Sequence, residues 1–221
     1  MKKLFQKKNK YVIIFGLLLI NQLLSSQNIE DIYVNMPDTL NPTLSRQNRL
    51  ELIEYHKAHQ SDSIANKIGN EAYLMSLDTL NERIVVKNTQ SSTFEMKILQ
   101  LEDSSKIIGI IRTVCAPVCM SSIEFYDLLW KWVVIPFQMP KSIEWLEEKN
   151  IPSDKIDVQW VKNVLDVSFI SLSFSADSQV VIAKNNTLDF LSEADRKIIA
   201  PYVNAKPFQF KLINRAWNQI Q

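Results

Sequence analysis

The stretch from Lys106 to Asp127 most constrains the fold, because it joins two strand-like apolar segments through a short turn between two cysteines. Its first arm, residues 107–114, is rich in β-branched residues, and its second arm, residues 121–126, carries Ile123 and Phe125 on one face. Between the arms, Pro117 has no amide hydrogen and fixes its own φ, which favours a turn. The pattern predicts a β-hairpin with a structural role.

Cys115 and Cys119 flank this turn and are the only cysteines in the chain. A disulfide requires Cα atoms about 4.4–6.8 Å apart, so the geometry of the turn decides whether the two sulfurs are joined. The alternatives are two free buried thiols, or a redox or metal pair. The redox motif has two intervening residues instead of three, and a zinc site needs about four ligands. We therefore name Cys115 and Cys119 as a disulfide candidate and leave the alternatives open.

Further segments have strand patterns separated by Asn, Ser and Asp turns. They are residues 72–77, 82–87, 93–101, 166–175, 179–184 and 208–213, with the tail 217–220 as an addition to the sheet. In the segment 93–101, apolar residues alternate with Glu95 and Lys97, which indicates a sheet with one solvent-exposed face. Because consecutive strands usually pair, we predict an α+β fold of mainly antiparallel sheet, in a meander and hairpins, with helices packed on one face.

Five helices are predicted, and four of them have a residue near their start that can cap a helix. These four span residues 46–58 after Ser45, 141–150 with Ser142 as the cap, a segment from Ser153 or Asp154 to Asn163, and 193–199 after Ser192. Residues 61–70 are polar and are predicted to form a short helix ending at Gly69. Residues 31–38 are predicted to be an extended lead-in.

The run from Leu128 to Phe137 is the most apolar stretch after the N-terminal segment, and it contains Trp130 and Trp132. Such a run can form a membrane-dipping or ligand-stacking surface. However, an apolar run shorter than about 12 residues that is bounded by prolines commonly belongs to a core. We therefore predict a buried strand and crossover.

Residues 1–26 have the pattern of a secretory signal peptide: five lysines precede an apolar run that is shorter than the roughly 20 residues a spanning helix requires. We expect cleavage near Ser26, export to the periplasm or cell envelope, and no stable membrane span afterwards. An uncleaved anchor is the alternative, because Leu24 stands where a small residue is preferred. Residues 27–221 are predicted to form a single α+β domain, with a two-part arrangement dividing near 136–141 as the alternative.

The charge balance excludes one class of partner. Five of the 25 basic residues lie in the signal, so 20 remain against 24 acidic residues, a net charge of about −4. Nucleic-acid binding needs a concentrated basic surface, so we expect no nucleic acid as a partner. An oxidising compartment also favours a disulfide between Cys115 and Cys119.

The sequence contains no recognisable metal or cofactor site. Beyond residue 27 its only glycines are Gly69 and Gly109, which excludes a glycine-rich phosphate loop. His56 and His59 lie three positions apart on a predicted helix, so they share one face. The HExxH order is absent, and we predict that these histidines are solvated rather than metal ligands. No metal or cofactor is therefore expected.

Acidic residues give the only other suggestion of catalysis. The pairs Glu147 with Glu148 and Asp62 with Glu71 could serve as acid and base. Carboxylates at this density usually lie on a solvated surface, and no GxSxG elbow accompanies them. We therefore predict no catalytic residue.

Several short motifs are spread along the chain: Asn35-Met36-Pro37-Asp38, Asn48-Arg49-Leu50, Arg112-Thr113-Val114-Cys115-Ala116-Pro117-Val118-Cys119, Phe125-Tyr126 and Leu191-Ser192-Glu193-Ala194-Asp195-Arg196-Lys197. In combination they resemble the exported proteins of Bacteroidetes bacteria grouped as domain of unknown function 3256. The resemblance implies export and a shared fold, and it carries no activity or catalytic residue. The chain departs from the family pattern after the aromatic pair, where it has Asp127-Leu128-Leu129-Trp130.

From these observations we expect an exported binding or interaction module of the cell envelope, whose partner is an envelope protein or glycan. Contacts would be made by exposed sheet or by the loops near Cys115 and Cys119. The alternatives are an exported hydrolase that uses acidic residues and a purely structural envelope component. Two close carboxylates in a concave pocket would favour the hydrolase, whereas a flat aromatic patch around Trp130 and Trp132 would favour binding.

Overall fold

The computed structural model of the protein describes residues 28–220 as two antiparallel sheets and four α-helices. This architecture confirms the predicted α+β class. The predicted signal peptide, residues 1–26, lies outside the described part of the chain. Within residues 28–220, no helix combines the length and apolar character needed to cross a bilayer.

The first sheet has six strands in sequence order, as expected for the predicted meander. They are β1 (Ser63–Ala65), β2 (Glu71–Asp78), β3 (Arg83–Thr89), β4 (Ser92–Gln100), β5 (Lys106–Cys115) and β6 (Cys119–Asp127). The β5–β6 hairpin pairs continuously from Ile107 opposite Asp127 to Cys115 opposite Cys119. The hairpin prediction for Lys106 to Asp127 is therefore confirmed.

The second sheet has four strands in the spatial order β10, β9, β8, β7. They are β7 (Ile170–Phe174), β8 (Val180–Asn185), β9 (Phe208–Ile213) and β10 (Ala216–Gln219). The predicted second hairpin and the two C-terminal strands are all present in this sheet.

Four α-helices accompany the sheets: α1 (Ile29–Asn35), α2 (Arg46–Lys57), α3 (Val158–Val164) and α4 (Glu193–Ile199). The Ser45 hydroxyl accepts a hydrogen bond from the Asn48 backbone amide, and the Asn48 side-chain oxygen accepts one from the Ser45 backbone amide. Ser192 caps α4 by accepting from the amide of Asp195. Both predicted caps are confirmed, because each satisfies an amide that the helix leaves unpaired.

Other elements pack on both faces of the first sheet, and on one of these faces they cover only β4 to β6. Its even-numbered residues, among them Phe94, Met96 and Ile98, form a core with α1 and α2. Its odd-numbered residues, among them Leu99, Ile111 and Phe125, form a second core with the second sheet. The helices on one face agree with the prediction, but the expected solvent-exposed face is wrong: Glu95 and Lys97 are buried because the second sheet lies across β4 to β6.

Gly109 lies where the two sheets approach each other closely. A Cβ built on this residue would lie 2.6 Å from the ring of Phe174 on β7 and 3.2 Å from the side chain of Leu99. Carbon atoms in van der Waals contact lie about 3.5–4.0 Å apart, so a side chain at this position has no room. Glycine is therefore needed in β5 for packing and not for backbone freedom.

Two N-terminal predictions are wrong. Residues 31–38 were expected to be extended, yet α1 begins at Ile29, capped by the Asn28 side chain, which accepts from the Asp31 amide at 2.8 Å. The helix forms because Ile29, Ile32 and Tyr33 all enter the first core. Residues 61–70 form β1 and a turn instead of a helix, with Gly69 at a φ of 79° that suits glycine.

Three further predictions fail in the connection between the sheets. Residues 128–137 form no buried strand; they leave β6 through a turn and continue as an extended segment. Residues 141–150 form two short 3-10 turns, Ser142–Trp145 and Glu148–Asn150, instead of a helix. Ser142 is buried and caps no helix; its hydroxyl is hydrogen-bonded to the side chains of Asn185 and Thr187. The next helix, α3, is capped by Asp157 rather than by Ser153 or Asp154.

Candidate functional site

The two cysteines lie at the end of the β5–β6 hairpin, where the structure joins them in a disulfide with their Cα atoms 3.9 Å apart. This separation is shorter than the range expected from the sequence, and the two residues are directly paired across the hairpin. The Asn186 side-chain amide donates to the Cys119 carbonyl at 3.0 Å and ties the hairpin end to the second sheet. The hairpin end is thus held at a fixed position, with Ala116 and Pro117 exposed at its tip.

The turn after β6 exposes a line of apolar side chains. The carboxylate of Asp127 accepts hydrogen bonds from the amides of Leu129 and Lys131, and Trp130 takes a positive φ of 63° that reverses the chain. Trp130 then packs against Tyr126, with ring centres 6.1 Å apart. Trp132, by contrast, is 66% exposed. Of the two tryptophans in the predicted aromatic patch, only Trp132 is therefore largely exposed.

Leu129 and Val134 are exposed together with Trp132, to 76% and 68% respectively, and we call these three residues the Trp132 strip. Trp132 and Val134 are two positions apart in an extended segment, so their side chains point to the same side. The intervening residues behave differently: Val133 packs against the second core, and Ile135 is buried in it. One side of this segment thus packs against the rest of the protein, and the other side exposes Trp132 and Val134.

This segment also lies along the edge of the first sheet. The Val133 amide donates to the Phe125 carbonyl at 2.9 Å, and the Asp127 amide donates to the Lys131 carbonyl at 2.9 Å. Among residues 28–220, only the bridge between Tyr126 and Trp132 extends the sheet past β6. Along an antiparallel strand, successive residues direct their amide and carbonyl groups to opposite sides. Ser121 lies an even number of residues before Phe125, so its amide and carbonyl also point away from β5.

Buried charges lie between the two sheets, and sequence analysis missed them. Glu95 accepts hydrogen bonds from Arg83 Nε at 2.7 Å and from the Phe174 amide at 2.9 Å. Lys97 Nζ donates to three carbonyls of the β7–β8 turn, those of Ser175, Ala176 and Ser178, at 2.6–2.9 Å. Burial raises the pKa of Glu95 and lowers the pKa of Lys97. Every one of these groups already has partners inside the protein, so the cluster fastens β7 to β4 and has no free acid or base.

The histidines and the acidic pairs do not assemble into a site. His56 Nδ1 lies 2.6 Å from Asp62 Oδ1, on the exposed side of α2, whereas Glu71 accepts a hydrogen bond from Tyr73. Glu147 and Glu148 are exposed and bind Asn150 and Lys162, respectively. Within residues 28–220, no three His, Cys, Asp or Glu side chains lie close enough together to hold a metal ion.

Comparison with known proteins assigns the chain to a family. A family model described as "Protein of unknown function (DUF3256)" matches residues 21–218, nearly the whole chain. The chain belongs to the DUF3256 family. No curated protein matches the sequence. Among solved structures, a domain of an uncharacterized protein from Porphyromonas gingivalis W83 is similar, with a TM-score of 0.72, 19% identity, and coverage of 87% of this chain and 98% of that chain. At this identity the likeness shows a shared fold.

In this DUF3256 chain, the motifs around Asp38 and Arg49 form a buried anchor. The Arg49 side chain is fully buried, and its guanidinium donates to the backbone carbonyls of Tyr33, Val34, Met36 and Leu44. Arg49 Nη1 also lies 3.1 Å from Asp38 Oδ1. One side chain therefore satisfies the carbonyls at the end of α1 and fastens that helix to α2. These DUF3256 motifs are structural.

The Arg112 motif of the DUF3256 chain has a similar role on the first sheet. Arg112 Nη1 donates to Glu124 Oε2 at 2.7 Å, and the Tyr126 hydroxyl donates to the same oxygen at 2.8 Å. Arg112 also donates to the Leu40 carbonyl at 3.0 Å. Burial acts to raise the pKa of Glu124, but the hydrogen bonds from Tyr126 and Arg112 hold it below its usual value. The carboxylate is thus ionised and bound, which suits a structural link better than proton transfer.

Proposed function

We propose that this DUF3256 protein is an exported binding module of the cell envelope, and that it binds an envelope protein through the Trp132 strip and the adjacent edge of β6. The observation that carries the proposal is the exposure of Trp132 to 66% next to Val134 at 68%, on a segment whose other side is fixed in the core. Export and envelope location rest on the signal pattern of residues 1–26.

The physical chemistry of the strip supports a protein partner. Tryptophan has a large apolar surface, and it is enriched among the residues that contribute most to protein interfaces. A strand edge beside it offers backbone hydrogen bonds to an added strand, while neighbouring side chains provide selectivity. The strip is also held in place by backbone bonds to β6, so little conformational entropy would be lost on binding.

The two alternative functions have no comparable support. The carboxylates suggested by the sequence contact different partners and share no pocket with one another, and Glu95 and Glu124 are occupied in structural links. A purely structural role gives no reason for an exposed tryptophan held on an ordered segment. Binding remains the function that the geometry favours.

The test is capture of partners from the native envelope by the wild-type chain and by two double variants. Trp132→Ser/Val134→Ser removes two of the three side chains of the strip, and Met75→Ser/Leu80→Ser removes two exposed apolar side chains on β2 and the turn that follows it, at the far side of the same sheet. Loss of a hot-spot tryptophan costs about 2 kcal/mol or more, so we expect the strip variant to bind at least about 30-fold more weakly.

The control variant should retain the partner, which is identified by crosslinking and mass spectrometry. If no partner is captured, or if the strip variant and the control bind equally well, the proposed interface is wrong.

A further inference from the structure

A groove of about 580 Å³ lies between α3 and α4, on residues that the Trp132 strip does not include. Its walls are formed by the segment before α3, the first turn of α3, the end of α4 and the 3-10 turn Ala200–Tyr202. Volumes of about 300–1,000 Å³ are typical of sites for small ligands. The groove is therefore large enough for a ligand of a few rings.

Much of the lining of the groove is apolar. Val161 of α3 and Ile199 of α4 are buried in a third core, and the residues one position earlier, Trp160 and Ile198, are left at the surface between the helices. Tyr202 completes the floor. Two aromatic side chains, with the apolar residues Ile156, Ile198 and Pro201, thus line a depression that remains open to solvent.

The rim of the groove carries two lysines. Among residues 28–220, Lys155 forms no ion pair, and its side chain is exposed. Lys197 pairs with Glu193 at 3.0 Å, but both side chains are exposed and lie one helical turn apart on α4. Such exposed pairs contribute little and exchange readily for another anion. The rim therefore offers two positive charges to a ligand on a protein whose described part is acidic overall.

The single carboxylate of the rim, Asp157, is already oriented. Its Oδ1 accepts a hydrogen bond from the Gln159 amide at 2.8 Å, which caps α3 and fixes the side chain at the mouth of the groove. A fixed carboxylate accepts hydrogen bonds from ligand hydroxyl groups and repels a second carboxylate close to it. This combination favours a ligand that carries hydroxyl groups as well as carboxylates.

We propose that this groove binds an acidic saccharide, a chain of sugar rings that carry carboxylates. The C–H faces of a ring pack on Trp160 and Tyr202, the carboxylate lies between Lys155 and Lys197, and ring hydroxyls donate to Asp157. An acidic peptide pairs with the lysines but brings no ring hydroxyls to Asp157 and no ring C–H faces to Trp160 and Tyr202, and a fatty acid leaves Asp157 without a donor. The inference does not depend on the Trp132 strip, because the two sites share no residue.

The test is calorimetric titration of the full chain with an oligogalacturonate and with its methyl ester, which has the same rings and no charge. We expect the acid to bind, the ester to bind at least about tenfold more weakly, and added salt to weaken binding of the acid. Lys155→Gln/Lys197→Gln should reduce affinity for the acid by about tenfold or more. Lys162→Gln, on α3 but paired with Glu148 outside the groove, is the matched control and should leave it unchanged.

Several outcomes would overturn this inference: no binding of the acid, equal binding of the ester, or equal affinity of the lysine variant and the control. Tighter binding of a glutamate-rich peptide, lost in the same lysine variant, would assign the groove to acidic protein segments instead. The Trp132→Ser/Val134→Ser variant separates this site from the proposed protein interface, since it should bind the oligogalacturonate like the wild type.

Discussion

Replacement of Arg49 by lysine should destabilise the protein strongly although the charge is kept. The guanidinium donates to four backbone carbonyls that lie around it and also contacts Asp38. A lysine ammonium is a single point on a longer stem, so it cannot span carbonyls on several sides of a planar fork. Carbonyls at the end of α1 would then be buried without a donor.

The expected loss follows from the number of bonds. A hydrogen bond to a charged group is worth about 1.5–3 kcal/mol, and a buried charge deprived of its partners costs about 3–5 kcal/mol. If lysine keeps half of the contacts, the loss in the free energy of unfolding is about 3 kcal/mol. With a urea m-value of about 2 kcal/mol/M, the unfolding midpoint should fall by about 1.5 M.

Urea unfolding followed by circular dichroism measures this shift, and Arg46→Lys is the matched control. Arg46 is on the same helix, is exposed, and makes one side-chain hydrogen bond, to Asn35. The control should lie within about 0.5 kcal/mol of the wild type. Equal midpoints for the two variants would refute the assignment of Arg49 as the anchor between α1 and α2.

Two further predictions concern the contact between the sheets. Gly109→Ala should lower the free energy of unfolding by about 1–3 kcal/mol in urea, because its Cβ would meet the Phe174 ring at 2.6 Å. The control Ser122→Ala, at an exposed residue of β6, should change this free energy little. A loss below about 0.5 kcal/mol in Gly109→Ala would contradict the close approach. Since burial raises the pKa of Glu95 in the folded state, its stabilising contribution is complete below about pH 4 and is lost as the pH rises through the folded pKa. The stability of the wild type relative to Glu95→Gln should therefore fall with rising pH in urea unfolding; a rise would mean that Arg83 outweighs burial.

The predicted parts of the fold are those that local chemistry determines. The first sheet was predicted because its strands are short, alternating and separated by turn residues, so consecutive pairing needs no distant information. The caps Ser45 and Ser192 were predicted for the same reason: each satisfies an amide three residues away.

The failures come from contacts between residues distant in sequence. The alternation of Glu95 and Lys97 with apolar residues is the same whether their face meets water or a second sheet. Lys97 is buried only because carbonyls about 80 positions later surround its amine. The sequence does not indicate this encounter, and alternation alone therefore cannot tell a solvated face from a covered one.

The Trp132 strip was mispredicted for a related reason. An apolar run bounded by prolines commonly belongs to a core, and half of this run does, through Val133 and Ile135. Its other half is exposed because the Asp127 turn carries the chain to the edge of β6, where only one side of the segment has a neighbour. The signal that could have revealed this is the Asp127 turn itself, an Asx-type turn that ends the strand before the apolar run begins.

The arrangement of layers restricts where this chain can bind anything. Both faces of the first sheet meet other elements, and the buried charges between the sheets are fully paired, so the centre of the molecule is occupied by its own structure. The family motifs around Arg49 and Arg112 are also occupied in holding helices and strands together. Surfaces with unassigned chemistry remain on the segments that follow β6: the Trp132 strip on the connection to the second sheet, and the groove between α3 and α4. In both proposals the two sheets serve as a support and recognition is assigned to the connecting segments, which is where rigid folds commonly carry function.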